Sequence, residues 1–146
     1  MIYITGDCHC DFVRFNTENF PEQKEMTKDD YVLICGDFGG VWDKDISGKT
    51  ESWWAQEIAS EEEMEEGRRN LAEQDNCVDF IVTHCCSSQT QAILGEGMYM
   101  PDELTEYFQE LRERVQFKTW FFGHYHDNRT VNAEEILLYE QIIRIA

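Results

Sequence analysis

The sequence predicts a layered α/β fold in a single domain, residues 1–146, and three observations support this prediction. Short runs of β-branched and aromatic residues alternate along the chain with helical patterns, as in α/β proteins. One of these runs, Tyr31 to Cys35, is continuously apolar, which is typical of a strand buried on both faces of a sheet. Polar residues follow these runs directly, at the strand ends where open α/β sheets place their functional sites.

Four apolar runs predict the strands, and each is followed at once by glycine or histidine. They are Ile2 to Thr5, Tyr31 to Cys35, Val78 to Thr83 and Thr119 to Phe122. The run from Tyr31 is expected to be buried on both faces because it shows no polar alternation. A closing hairpin is predicted from 129–132 and 136–145.

Three helices are predicted between these strands. The first covers 11–20 and is stopped by Pro21. The second begins with Ser60, which forms a capping-box pattern with the glutamate three residues later, and it continues to about Asn76. The third has Pro101 in its first turn and an apolar stripe expected in the core. The stripe consists of Leu104, Tyr107, Phe108, Leu111 and Val115.

The net charge of −18 argues against generalised binding to nucleic acid, since a polyanion would be repelled. No apolar run approaches a membrane span, and the N-terminus lacks the basic region of a signal peptide. A cytoplasmic location without membrane association is therefore expected.

The six cysteines are expected to be reduced thiols. Cys8 and Cys10 flank a histidine, so ligation of zinc or of an iron–sulfur cluster is one interpretation. Buried cysteine also behaves as a small apolar residue, which is the expectation for Cys35 within its apolar run.

Aspartate and histidine residues follow the four predicted strands. They are Asp7, His9, Asp37, His84, His124 and His126. These side chains offer the oxygen and nitrogen ligands that manganese, iron and zinc accept. Glycine precedes three of the strand-end ligands, where it permits a sharp turn and a close approach of the backbone to an ion or phosphate.

The order of these motifs resembles that of the calcineurin-like metallophosphoesterases. The motifs are Gly6-Asp7-Cys8-His9, Gly36-Asp37, Thr83-His84 and Gly123-His124-Tyr125-His126. The hairpin Leu138-Tyr139-Glu140 is similar to that of small bacterial members of the family. The resemblance implies a four-layer α/β sandwich with two metal ions between the sheet ends.

The resemblance also implies the ligand sets and the chemistry. Asp7, His9, Asp37 and His126 would bind the first ion, and Asp37, His84 and His124 the second, with Asp37 bridging. Manganese is the first expectation, with iron or zinc as alternatives, at one or two ions per chain. Phosphate mono- or diesters would be hydrolysed by attack of a metal-bridging hydroxide, as in two-metal sites generally.

The chain departs from the family pattern in three places, and the last of these departures is expected to weaken the function. Cys10 stands where the family has glycine, and the second motif continues as Phe38-Gly39-Gly40. The family's Gly-Asn-His segment is missing, which indicates an internal shortening around 43–53 that truncates the sandwich. The segment would have supplied an asparagine ligand and the histidine near the leaving group, so no general-acid histidine is assigned.

Two functions follow as alternatives. The first is a phosphoesterase of weakened activity, acting on a small phosphate ester or a nucleotide. The second is a catalytically inactive metal-binding derivative that serves as a binding or regulatory module or is a decaying gene product. Loss of a strand would also expose a sheet edge, so self-association is expected.

Four further residues near these motifs have weaker interpretations. Trp53 and Trp54 could line a substrate cleft, although packing in a core or interface is the stronger expectation. Asp43 could orient a water molecule, and Arg129 could contact phosphate, although a surface role is the default for the arginine.

Overall fold

The computed structural model describes residues 1–39 and 58–146, and these group into two compact units. Residues 1–39, 80–85 and 119–146 form the first unit, and residues 58–79 and 86–118 form the second. The first unit contains the described strands and the second the described α-helices, so the α/β class is confirmed. Among the described residues, no helix has the length and apolar character to cross a membrane.

Several sequence-based expectations lie outside the described residues. They concern the shortened region around 43–53, Asp43, Trp53 and Trp54.

The strands of the first unit form two sheets. The strands are β1 (Ile2–Thr5), β2 (Tyr31–Ile34), β3 (Phe80–Thr83), β4 (Thr119–Phe122), β5 (Arg129–Thr130), β6 (Glu135–Leu137) and β7 (Ile143–Arg144). One sheet has the order β2-β1-β7, with β1 and β2 parallel and β7 antiparallel to β1. The other has the order β3-β4-β6-β5, with β5 antiparallel to β6 and the remaining pairs parallel. All four predicted apolar runs are therefore strands.

One apolar core serves both sheets of the first unit. Its buried members are Ile4, Cys35, Phe121 and Leu138. Complete burial of β2, however, was a wrong expectation: Tyr31 is 57% and Leu33 36% exposed, while Cys35 is 2% exposed. β2 stands at the end of its sheet, and successive side chains of a strand point to opposite faces, so alternate residues leave the core.

The predicted helix over 11–20 is replaced by a 3-10 turn at Val13–Phe15. The Asp11 carboxylate accepts a hydrogen bond from the Val13 amide at 3.0 Å. The Asn16 side chain accepts from the amides of Glu18 and Asn19 at 2.9 and 2.8 Å. Short polar side chains here compete with the helical hydrogen bonds, which explains the error. Pro21 begins a second 3-10 helix, Pro21–Lys24, instead of only ending the first.

The predicted hairpin forms only in part. β5 and β6 pair as antiparallel strands, but the second predicted arm, 136–145, is not one strand, because β7 pairs with β1 in the other sheet. Asn128 explains the break, since its side-chain oxygen accepts hydrogen bonds from the amides of Tyr139 and Gln141 at 2.9 and 3.2 Å.

The second unit contains three α-helices with polar caps. They are α1 (Glu61–Ala72), α2 (Ser88–Leu94) and α3 (Glu103–Arg114). Ser60 forms the predicted capping box, but α1 ends before Asn76, because Asp75 and Asn76 adopt positive φ values of 54° and 51°. Pro101 precedes the α3 cap, Asp102, and so lies outside the first turn where it was expected.

The apolar stripe of α3 is largely confirmed, and α2 was not expected from the sequence. Phe108, Leu111 and Val115 are buried. Leu104 and Tyr107 are half-buried. The signal for α2 was the cap Ser87, whose hydroxyl accepts from the Thr90 amide at 3.3 Å.

Candidate metal centre

The six predicted ligands all lie in the first unit, on segments that follow β1, β2, β3 and β4. Two groups could each hold an ion, with ligand atoms within 4.8 Å of one another. The first group is Asp7, His9 and His126, and the second is Asp7, Asp37 and His84. His124 adjoins the second group, with its Nδ1 2.8 Å from Nε2 of His84.

Asp7 is the buried centre of this arrangement, with 0% of its surface exposed. One carboxylate oxygen accepts a hydrogen bond from the Asp37 amide at 3.1 Å, and the other accepts from the His124 amide at 2.6 Å. The carboxylate therefore joins the loop after β1 to the loops after β2 and β4. A buried charge requires such partners, which here also place three ligand loops together.

The glycines before Asp37 and His124 are needed for this close approach. A Cβ atom on Gly36 would lie 2.5 Å from the Asp7 carboxylate, and one on Gly123 would lie 2.3 Å from an oxygen of the same carboxylate. Both loops thus bring main chain against a buried side chain. The sequence predicted that the backbone at these glycines would lie close to an ion or phosphate. In the described residues, that backbone lies close to Asp7 and its neighbours.

Left-handed backbone is concentrated in the ligand loops. The φ values are 46° at His9, 65° at Cys10, 71° at His124 and 50° at His126. Each such conformation costs roughly 1–2 kcal/mol in a non-glycine residue. Strain of this kind clusters at functional sites, where the surrounding structure maintains it. Cys10 adopts the conformation that glycine, expected from the family pattern, would adopt without this cost.

The four histidines form two pairs. Nε2 of His9 lies 2.8 Å from Nε2 of His126, and the His84–His124 pair has the same separation. Two nitrogens bound at ~2.1 Å to one ion, at right angles, would lie roughly 3 Å apart. Each pair is therefore close to the separation that a shared ion requires.

Asp37 lies between the pairs and is more accessible than Asp7. Its carboxylate oxygens lie 3.9 Å from Nδ1 of His9 and 3.7 Å from Nδ1 of His84, and its side chain is 47% exposed. Asp37 thus faces one histidine of each pair. Asp7 likewise lies 4.0 Å from His9 and 3.9 Å from His84.

The electrostatics of the centre favour neutral imidazole at His124. Burial is the main cause that lowers the pKa of His124, and the neighbouring His84 lowers it further. A neutral imidazole has a free lone pair on one ring nitrogen, which is the form that binds a metal ion. The donor set thus fits a divalent ion in chemistry as well as in geometry.

The cysteines contribute less to this centre. Burial raises the pKa of Cys35 to about 12, and burial also raises the pKa of Cys8. The thiolate is the form of cysteine that binds a metal ion, and burial disfavours that form at both residues. The candidate metal groups among residues 1–39 and 58–146 contain no cysteine.

Sequence reasoning did not find two residues that contact the ligand loops. Arg14 donates a hydrogen bond to the Asp7 carbonyl oxygen at 2.7 Å, and the ring of Tyr139 stacks on His126 with ring centres 4.9 Å apart. Arg14 lies within the segment expected to be a helix, and Tyr139 within an expected strand. Tyr139 was noted only as part of the Leu138-Tyr139-Glu140 hairpin and without a role at the site, and the position of Arg14 in the sequence gave no signal. Arg129 lies exposed on β5.

Comparisons of the chain with known protein families, with curated proteins and with solved structures give no match in any of the three.

Proposed function

We propose that this protein is a metal-dependent phosphoesterase of the calcineurin-like type, with weakened activity on phosphate mono- or diesters. The single observation that supports this proposal is the meeting of six aspartate and histidine side chains at the ends of four strands. Five of them form two groups that share one buried carboxylate, and the sixth, His124, lies beside His84 of the second group. The four-layer sandwich is proposed with it, since two sheets around one core are what that architecture requires.

The donor chemistry indicates which ions the centre would take. Carboxylate oxygen and imidazole nitrogen suit manganese, iron and zinc, and we propose manganese as the first candidate. Divalent ions held there would lower the pKa of a bound water and offset the negative charge of a phosphate group. This last effect is important in a chain of net charge −18, which otherwise repels phosphate esters.

The aspartates and the histidines of the centre would have different roles. Asp7 and Asp37 bring their carboxylates to both histidine pairs, so they would hold positive charge at a fixed point. All four histidines of the chain belong to the two pairs. None is therefore left to protonate a leaving group, a task that typically contributes ~10²–10⁴-fold to a rate.

The test is hydrolysis of esters that differ in their leaving group, measured with added manganese. We expect turnover of p-nitrophenyl phosphate and bis-p-nitrophenyl phosphate, and much slower turnover of phenyl phosphate, because good leaving groups need little protonation. Asp37→Asn is the matched control for contamination by another phosphatase. Equal rates on activated and unactivated esters, or full activity in the Asp37→Asn variant, would contradict the proposal.

A second candidate is a catalytically inactive derivative that still binds metal and acts as a binding or regulatory module. The observation that favours it is the missing Asn-His pair in a chain that keeps the other six ligands. The same assay separates the two candidates. Bound metal without hydrolysis of any ester would support the inactive derivative, whose partner would be a small phosphate ester or a nucleotide.

A further inference from the structure

We propose that Arg14 is a positioning residue that holds the first ligand group, Asp7, His9 and His126, in its binding geometry. It acts through the backbone of Asp7 and through the ring of Tyr139. The inference rests on the proposed metal site, and it assigns a role to residues outside the six ligands.

The guanidinium of Arg14 joins the loop after β1 to the segment after β6. Nη2 donates to the Asp7 carbonyl oxygen at 2.7 Å. Nη1 donates to the Thr5 hydroxyl at 3.0 Å and to the carbonyl oxygen of Tyr139. A single planar cation thus binds the main chain on either side of the first ligand group.

Tyr139 extends this link to His126. Its ring stacks on the imidazole with centroids 4.9 Å apart and an angle of 16°, and Cζ of Arg14 lies 5.7 Å from the centre of the same ring. The backbone of Tyr139 is held as well, since its carbonyl oxygen accepts from the Gly6 amide at 3.1 Å and its amide donates to Asn128 at 2.9 Å. The ring therefore has a fixed position from which to orient His126.

The ligand loops need such support. His9 and His126 have positive φ values of 46° and 50°, which non-glycine residues adopt at a cost. The contact between the segments is also close, because a Cβ on Gly6 would lie 2.0 Å from the Leu138 carbonyl oxygen. Without the guanidinium, the carbonyl groups of Asp7 and Tyr139 would each lose a charged donor at this junction. The loops could then relax away from the geometry that binds an ion.

Arginine is specifically suited to this position. Its planar fork donates in two directions at fixed angles and also stacks on an aromatic ring, whereas lysine offers a compact ammonium on a flexible stem. Residues that orient metal ligands typically change metal affinity by ~10–100-fold when they are replaced. We expect a loss of this size for Arg14→Gln and a smaller loss for Arg14→Lys.

The experiment measures Mn²⁺ affinity by calorimetry in wild type and in five variants. The matched control is Arg144→Gln, which removes the same charge from an exposed residue that lines the same cavity of about 690 Å³ as Arg14. Tyr139→Leu removes the ring, and Tyr139→Phe keeps it. Arg14→Gln and Tyr139→Leu should weaken the tighter site ~10–100-fold, with Arg14→Lys between them and wild type. Arg144→Gln and Tyr139→Phe should bind as wild type does.

Wild-type affinity in a folded Arg14→Gln variant would overturn the proposal. If Arg14→Gln does not fold, the proposal is tested by comparing the Mn²⁺ affinities of Tyr139→Leu and Tyr139→Phe. Both variants keep the main chain of residue 139. Equal affinity of Tyr139→Leu and Tyr139→Phe would then refute the role of the ring.

A second readout on the metal-free protein separates this inference from the proposed function. The ring proton resonances of His126 sense the stacked Tyr139 ring. They should shift in Arg14→Gln and remain in place in Arg144→Gln. Unchanged resonances in Arg14→Gln overturn the positioning role, whether or not metal binds. A third outcome is possible: the wild-type protein binds no Mn²⁺, but the His126 resonances still shift in Arg14→Gln. That outcome refutes the proposed metal site and leaves the positioning of His126 supported.

Discussion

Asp7 combines two roles that are usually separate, because it belongs to both candidate metal groups and also joins three loops by hydrogen bonds. Asp37 faces both histidine pairs, but its side chain is 47% exposed and therefore in contact with water. The two carboxylates should therefore respond differently to the same substitution.

We predict that Asp7→Asn and Asp37→Asn both lose bound metal, but that only Asp7→Asn destabilises the metal-free chain. The asparagine would place an amide donor against one of the two backbone donors that now bind the carboxylate, and a buried unsatisfied group costs ~1–3 kcal/mol. Urea unfolding of both variants in the presence of a chelator measures this. Equal stability of the two variants would contradict the structural role of Asp7.

The sequence indicated which aspartates and histidines would lie near one another at the strand ends, but it did not indicate the residues that contact their loops. Each candidate ligand lies one to four residues after a strand, so its position at the end of the sheet follows from the local pattern, as at Asp37 and His84. Arg14 and Tyr139 are 125 positions apart, and only the completed fold brings them together. The resemblance implied Asp37 as the bridging carboxylate, whereas Asp7 is the residue common to the two candidate groups. The residues alone do not show that Asp7 lies between both histidine pairs.

Among the secondary-structure elements, the sequence predicted strands better than helix ends. The run 119–122 forms β4 with the predicted bounds, because its apolar residues pack on both sides. Errors occurred where side chains bind nearby backbone, as at Asp11 and Asn16. These local hydrogen bonds compete with the helix and are not visible in an apolar pattern.

The helices α1 and α3 are joined by a cluster around Arg68. Its guanidinium donates to Glu110 at 3.1 Å and to Glu61 at 3.0 Å, and it lies 5.0 Å from the centre of the Tyr107 ring. Arg68→Gln should lower the midpoint of thermal unfolding more than Arg69→Gln does, although Arg69 is the adjacent residue on α1 and has the same charge. The difference should shrink at high salt, which screens ion pairs. Equal midpoints for the two variants would show that the cluster contributes nothing to stability.

For the chain as a whole, charge and exposed apolar surface oppose each other. The net charge of −18 favours dispersion, whereas Tyr31 and Leu33 on β2 and Val82 on β3 expose apolar side chains. Exposed edges and apolar surface favour pairing with another chain.

We therefore predict self-association that increases with ionic strength, because salt screens the repulsion between chains. Light scattering after size-exclusion chromatography at low salt and at ~0.15 M salt tests this. Leu33→Lys is the matched variant, since it adds charge to the exposed face of β2. A monomer under both conditions would refute the prediction.

The most direct test is the metal content of the purified protein, measured by mass spectrometry after growth in medium with manganese. The proposed centre predicts about one tightly bound ion per chain and a second, weaker site, because the family's asparagine ligand is missing. His126→Ala should lose the tight ion, while Arg144→Gln should retain it. A wild-type chain without bound metal, or a His126→Ala variant with unchanged metal content, would contradict the assignment of these six residues as a metal centre.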